Sequence, residues 1–357
     1  MQLVRRVMLS LIFFSISITA AAFAAERSSF VPVPDAQVRF DFSATYTPLE
    51  LLPVVQSEPS ALSREERASR ASAVAVTPDG KLYRSTLTVE DLEIFERGLA
   101  AVSTSMRPQT GLSGTVDRRG LEAPARKAKA SGPSQITERS VIGTDERVRV
   151  TPTTYWPWIT IGRIDLGCTG TVVGPRHVIT AGHCVYNIDT DSWYYNLDFS
   201  PAQDGSYLPF GTVTWSVAIT TTGWTVNHDR NYDYAMIVLA DTIGYTTGYM
   251  SYGYDNNLCG NCIVNINGYP ADKPFGTTWH SDCPLTQVQT YRLYYECDTY
   301  NGNSGSGVYM YWSPDTRIIY GIHAYGVDST GDNGGTRITS SVFNNFNSWR
   351  QQYPPAY

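Results

Sequence analysis

Two hydrophobic patterns divide this chain near residue 140. From Ser140 onward, apolar and β-branched residues come in short runs bounded by Gly, Pro, Asn or Asp. That rhythm predicts strands at 158–161, 170–173, 177–181, 235–239, 262–266, 292–295, 307–311 and 317–322. Repeated short strands over about 200 residues call for barrels or a sandwich, so the class is all-β. The period turns helical only at the end. Val342, Phe346 and Trp349 fall at i, i+4 and i+7 behind Ser340-Ser341, which predicts a C-terminal helix.

Before residue 140 the pattern changes. Residues 26–139 contain no Cys or Trp and only Tyr46 and Tyr83, while the remainder holds 22 of the 24 tyrosines and all eight tryptophans. One helix is predicted there, at 88–102, opened by Thr88 and carrying Leu92, Ile94, Phe95 and Leu99. From Arg118 to Arg139 apolar residues thin out and charge rises, as in a linker open to proteolysis. At the start, Arg5 and Arg6 precede an apolar run at 7–19 and the small-residue site Ala22-Phe23-Ala24, the pattern of a signal peptide. The run is too short to span a bilayer. The expected organisation is a signal peptide at 1–24, a removable propeptide at 25–139 and a secreted β domain from 140, with no membrane partner.

Composition narrows the function. A net charge of −6 argues against nucleic acid as a partner. All six cysteines lie after residue 140, and an even number in an exported chain points to disulfides. Cys259-x-x-Cys262 also has the look of a zinc or redox motif, but only His280 lies between these cysteines and Cys297, and the compartment is oxidising. Structural bridges are preferred, and neither a metal nor a cofactor is expected. A bridge from Cys168 to Cys184 would tie two strands together, and Cys283 with Cys297 is a second candidate.

Three segments carry candidate chemistry. Gly302-Asn-Ser-Gly-Ser-Gly307 has too much backbone freedom for an ordinary β connection; glycines around a serine allow a tight turn with a free Oγ and converging N–H groups. His183 ends a predicted strand beside Cys184. Asp233 opens the apolar strand at 235–239, where a partly buried acid needs a partner. Singly, each has a plain reading: an interior histidine, a turn aspartate, a loop serine. Together, in the order His, Asp, Ser and each at a strand edge, they match a serine-protease triad.

Thr180-Ala-Gly-His-Cys184, Asp233-Tyr-Ala and Gly302-Asn-Ser-Gly-Ser306 resemble the three active-site motifs of chymotrypsin-like proteases, and more closely those of the glutamyl endopeptidases. Further similarity runs through 140–147, Gly268-Tyr-Pro270, Asp298-Thr-Tyr300 and 335–339, so it covers nearly all of 140–350. The resemblance implies two antiparallel β-barrels, at 140–250 and 251–357, with His183 and Asp233 on the first and Ser304 on the second. It implies that Ser304 is the nucleophile, His183 the general base and Asp233 its orienting acid, with the Gly302 and Ser304 N–H groups as oxyanion hole. Ser306 is a rival nucleophile one step past the family position. The substrates would be proteins or peptides, and a monomer that also binds its own propeptide is expected.

For specificity, Thr299 and His323 match the positions that receive a substrate carboxylate in glutamyl endopeptidases, which implies cleavage after Glu and also Asp. Both side chains are donors, and a buried carboxylate requires donors. Asn303 stands where chymotrypsin-type zymogens carry an aspartate that pairs with the freed N-terminus. Resemblance to glutamyl endopeptidases implies instead that Ser140, freed by cleavage after Arg139, places positive charge near the substrate. Two alternatives stay open: an Arg/Lys-specific protease using Asp298, six residues before Ser304, and a non-catalytic secreted binding protein on the same fold. Residues 140–357 hold sixteen Asp but only Glu146 and Glu296, a scarcity suited to an enzyme that cuts after Glu, although the same region has a single lysine, Lys273.

Overall fold

A computed structural model describes residues 29–42, 61–108, 140–313 and 316–355; the stretches expected as signal peptide and as the 118–139 linker lie outside them. The near-continuous apolar run Ala235–Leu239 is a strand with every residue buried, as a strand covered on both sides must be. It lies between Trp215–Thr221 and His177–Thr180, and the sheet continues through Thr169–Gly174 and Ile161–Ile164 to Phe199–Pro201. Phe199 and Val213 then exchange backbone hydrogen bonds of 2.9 and 2.8 Å, which brings the last strand back to the first and closes a barrel. The chain next builds a second ring from Ile263–Gly268, Trp279–Val288, Arg292–Tyr295, Asn333–Arg337, Thr316–Tyr325 and Gly307–Ser313. Gly307–Ser313 pairs with both Ile263–Gly268 and Thr316–Tyr325, so this ring closes as well.

The C-terminal helix spans Ser340–Gln352, beginning at the expected serines, and is capped by Thr339, whose side chain accepts from Val342 N. It buries Val342, Phe346 and Trp349, with Trp349 stacked on Tyr234 at 5.8 Å. Disulfides join Cys168 to Cys184, Cys283 to Cys297 and Cys259 to Cys262. No helix among the described residues is long and apolar enough to cross a membrane.

Several expectations shift. The stretch expected as a strand at 158–161 begins as a 3-10 turn, Trp158–Thr160, because Pro157 fixes the entry and Thr160 N bonds back to Pro157 O. The helix expected at 88–102 is only Val89–Glu96. Gly98 then passes so close to Tyr254 that a Cβ would lie 1.8 Å from its hydroxyl, and Ala100–Val102 becomes a strand against Ser251–Asp255. A second helix, Arg64–Ala71, went unrecognised although Ser63 and Glu66 form a capping box. The strands Ala73–Val76 and Leu82–Ser85 follow it.

Candidate active site

The loop joining the first barrel's hairpin to its neighbours places the histidine. Thr169–Gly174 and His177–Thr180 pair antiparallel, and the chain leaves them through a 3-10 turn, Gly182–Cys184, held by the bridge back to Cys168. His183 is therefore fixed from both sides. Its backbone N–H donates to Asp233 Oδ1 at 2.9 Å, and its Nδ1 lies 2.7 Å from Asp233 Oδ2. A Cβ on Gly182 would sit 3.0 Å from Asp233 Oδ1, so the glycine leaves room for this approach.

Asp233 follows a 3-10 turn, Arg230–Tyr232, whose start is capped by Asp229. The aspartate is wholly buried. Burial alone pushes its carboxyl upward, but the His183 and Tyr325 hydrogen bonds more than offset that, and its pKa lies below the ordinary carboxylate value. Tyr325 Oη donates a short hydrogen bond to Oδ2, the same oxygen that faces His183 Nδ1. Two guanidinium groups lie over the tyrosine ring, Arg292 at 4.5 Å and Arg230 at 5.0 Å. The role of Tyr325 was missed in the sequence. No local pattern marks it, because a register shift between His323 and Tyr325 breaks the alternation along this strand.

The serine turn has the geometry its composition allows. Gly302 and Gly305 have φ of +96° and +87°. At Gly305 a Cβ would lie 2.0 Å from Thr180 Oγ1 and 2.1 Å from Thr169 O, so a side chain there would push the two barrels apart. Thr169 clasps the turn from the first barrel: its N–H donates to Ser304 O at 2.8 Å and its hydroxyl to Gly302 O at 2.8 Å. Among the described residues, no hydrogen bond takes up the N–H of Gly302 or Ser304. Ser304 keeps 8% of its surface exposed, whereas Ser306 keeps none; Ser306 Oγ is directed at Gly268, where a Cβ would approach it to 2.5 Å.

The neighbouring wall brings Thr299 and Ser140 together with Asn333. Thr299 N and Asn333 Nδ2 both donate to Ser140 O, at 3.0 and 2.7 Å. Ser140 Oγ lies where Gly326 would carry a Cβ, 2.6 Å away. The Thr299 hydroxyl is buried and has no hydrogen-bond partner among the described residues. His323 is buried, with Nδ1 2.8 Å from Tyr295 Oη and a backbone hydrogen bond to Gly334. Burial, with His183 nearby, holds its pKa down at about 3, so the ring is neutral at pH 7.

Asp298 does not join this wall. Its two oxygens accept from Ile142 N and Glu146 N, each at 2.9 Å, and the residue is fully buried. It fastens the strip that follows Ser140. Arg147, buried between Asp145 and Asp272 at 2.8 Å and a shorter contact of 2.5 Å, fastens the far end of that strip.

Among the described residues, Cys168, His183 and Cys184 form the one group with metal-ligand spacing. Both sulfurs are spent in a disulfide and His183 Nδ1 is engaged by Asp233, so this donor set does not fit a metal.

Residues 147–350 match the protein family described as Trypsin. The chain is 38% identical over 237 residues to the glutamyl endopeptidase of Bacillus licheniformis, covering 64% of this chain and 74% of that protein. A Bacillus subtilis protein named extracellular metalloprotease is also 38% identical, over 225 residues, covering 60% of this chain and 70% of the relative. A solved structure of a Glu endopeptidase in complex with MPD aligns with a TM-score of 0.55 at 32% identity, covering 59% of this chain and 100% of that one.

Proposed function

The chain belongs to the trypsin family and is a serine endopeptidase with the chymotrypsin-like fold; from that premise we propose that it is secreted and cuts peptide bonds after glutamate, with aspartate as second choice. Ser304 Oγ attacks the scissile carbonyl while His183 takes its proton, and His183 then protonates the departing amine. Water hydrolyses the acyl-enzyme by the same route. Asp233 holds the imidazole tautomer and stabilises the imidazolium. The Gly302 and Ser304 N–H groups receive the oxyanion, each such donor being worth about 3 to 4 kcal/mol of barrier.

The observation that carries the glutamate reading is the pair Thr299 and Asp298. A buried hydroxyl without a partner is costly, and an arriving carboxylate supplies the missing acceptor. Asp298, the acid at trypsin-like spacing, is already taken by two backbone donors. Cleavage after Arg139 would add the Ser140 ammonium to the same wall. His323 contributes as a neutral imidazole oriented by Tyr295; an anion brought beside it raises its proton affinity, so glutamate binding and His323 protonation reinforce each other. The name of the Bacillus subtilis relative and the three disulfides favour an extracellular setting.

Two measurements test this reading. A fluorophosphonate should label protein processed after Arg139 and fail on Ser304→Ala; absent labelling, or labelling that persists in the variant, would favour the non-catalytic reading. On matched peptides differing only before the scissile bond, Glu should exceed Arg in kcat/KM, and His323→Ala should lower the Glu value at least about tenfold while sparing fluorophosphonate reaction. A preference for Arg would overturn the glutamate assignment.

A further inference from the structure

We infer that residues 61–108 stay bound to the processed enzyme as a non-covalent part of both barrels, so that cleavage ahead of Ser140 frees a terminus without freeing the segment. This rests on the proposed cut after Arg139. The segment is built into the fold at three places. Ala73–Val76 is an inner strand, paired on one side with Leu82–Ser85 and on the other with Ala218–Thr221 of the first barrel. All four of its residues are buried, and with Ala71, Leu87 and Phe95 they belong to the same core as Trp215, Ile219, Tyr234 and Phe346. Ala100–Val102 extends the second barrel by pairing with Gly253–Asp255, and Met106 bridges to Tyr249. Between these, the C-terminal helix holds the segment's carbonyls: Asn345 donates to Ala71 O at 2.8 Å and Asn344 to Phe95 O at 3.1 Å.

The protease part is shaped to receive it. At Gly253 a Cβ would come within 2.7 Å of Ala101 O, and at Gly248 within 2.4 Å of Met106 O. The segment's carbonyl oxygens come nearest to the space that these two glycines leave. Arg70 reaches across to Asp229 at 2.6 Å, and Asp229 is 1% exposed. Since Asp229 caps the turn that delivers Asp233, the segment also steadies the triad's acid. Departure would leave an unpaired strand edge on Trp215–Thr221, bare apolar core and a buried carboxylate without its arginine. Each of these is unfavourable, and an open apolar edge invites aggregation.

The test uses the full chain with Ser304→Ala, which blocks self-digestion, and a site-specific protease sequence in place of residues 126–131. After cutting, size exclusion and native mass spectrometry should find the two pieces together at one to one, separating only in denaturant. Arg70→Ala should speed dissociation at least about tenfold, because it removes the ion pair that crosses from the segment to Asp229. The readout is association, not catalysis, so it stands whichever residue the enzyme cuts after. A fragment that elutes alone while 140–357 keeps its native tryptophan fluorescence would overturn the inference.

Discussion

At the scale of single residues, the most consequential side chain outside the expected set is Tyr325. Its hydroxyl and His183 Nδ1 share Asp233 Oδ2, so it sets how much charge that oxygen offers the imidazole. Tyr325→Phe removes one donor, makes the carboxylate more basic and strengthens its hold on imidazolium. The expected result is a kcat lower by about threefold to tenfold, with the acid limb of kcat/KM moved to higher pH. A purely structural role would lower activity and leave the limb in place. Two histidines also report on the fold. His177, whose Nε2 lies 2.9 Å from Tyr353 O, has its pKa held down at about 3 by burial and by Arg350, and His323 is likewise held at about 3. The unfolded chain binds those protons near pH 6.5 and the folded chain does not. Their stability is therefore full above pH 6.5 and is lost as pH falls toward 3, at about 1.4 kcal/mol per pH unit for each histidine. The urea midpoint should drop between pH 7 and pH 4, and His177→Gln should shrink that drop; an unchanged drop would mean that other groups govern it.

At the scale of elements, the bridge from Cys168 to Cys184 closes a loop with a sequence separation of 16 residues around His183. Replacing both cysteines by serine should cost about 3 kcal/mol of stability, read as a lower denaturant midpoint. Asp298 belongs with the strip it fastens. Asp298→Asn should lower thermal stability and raise KM for Glu peptides as the strip from Ser140 loosens, and leave the ratio of Glu to Arg cleavage within about twofold; a gain in Glu preference would put Asp298 back in the specificity wall. Much at this scale was legible in the sequence. The strands at 170–173, 235–239 and 292–295 announce themselves because each is an apolar run between turn residues, and the disulfide spacing follows the hairpin at 169–180. What was not legible depended on partners distant in the chain. Ala100–Val102 reads as the tail of a helix until Ser251–Asp255 is there to pair with it. Asp298 at trypsin-like spacing is indistinguishable from a specificity acid until Ile142 and Glu146 are seen to occupy it. Tyr325 has no local signature, since its partner lies 92 residues away.

At the scale of the whole molecule, the site exists only where the two barrels meet. Thr169 and Thr180 of the first barrel clasp the serine turn of the second, and Tyr325 of the second reaches Asp233 on the first. Residues 140–357 carry ten Lys and Arg against eighteen Asp and Glu, a charge of −8 that favours solubility. Nearly all of that negative charge is aspartate, so an enzyme with the proposed specificity would offer few glutamate sites to its own copies. The segment at 61–108 contains Glu65, Glu66, Glu90, Glu93 and Glu96, and under the proposed specificity keeping it folded across both barrels would protect those bonds. The most direct test of the account is to digest a denatured protein mixture with the enzyme processed after Arg139 and to sequence the new termini. Cuts should fall mainly after Glu, less often after Asp, and vanish with Ser304→Ala. Cuts mainly after Arg and Lys that depend on Ser304 would contradict it.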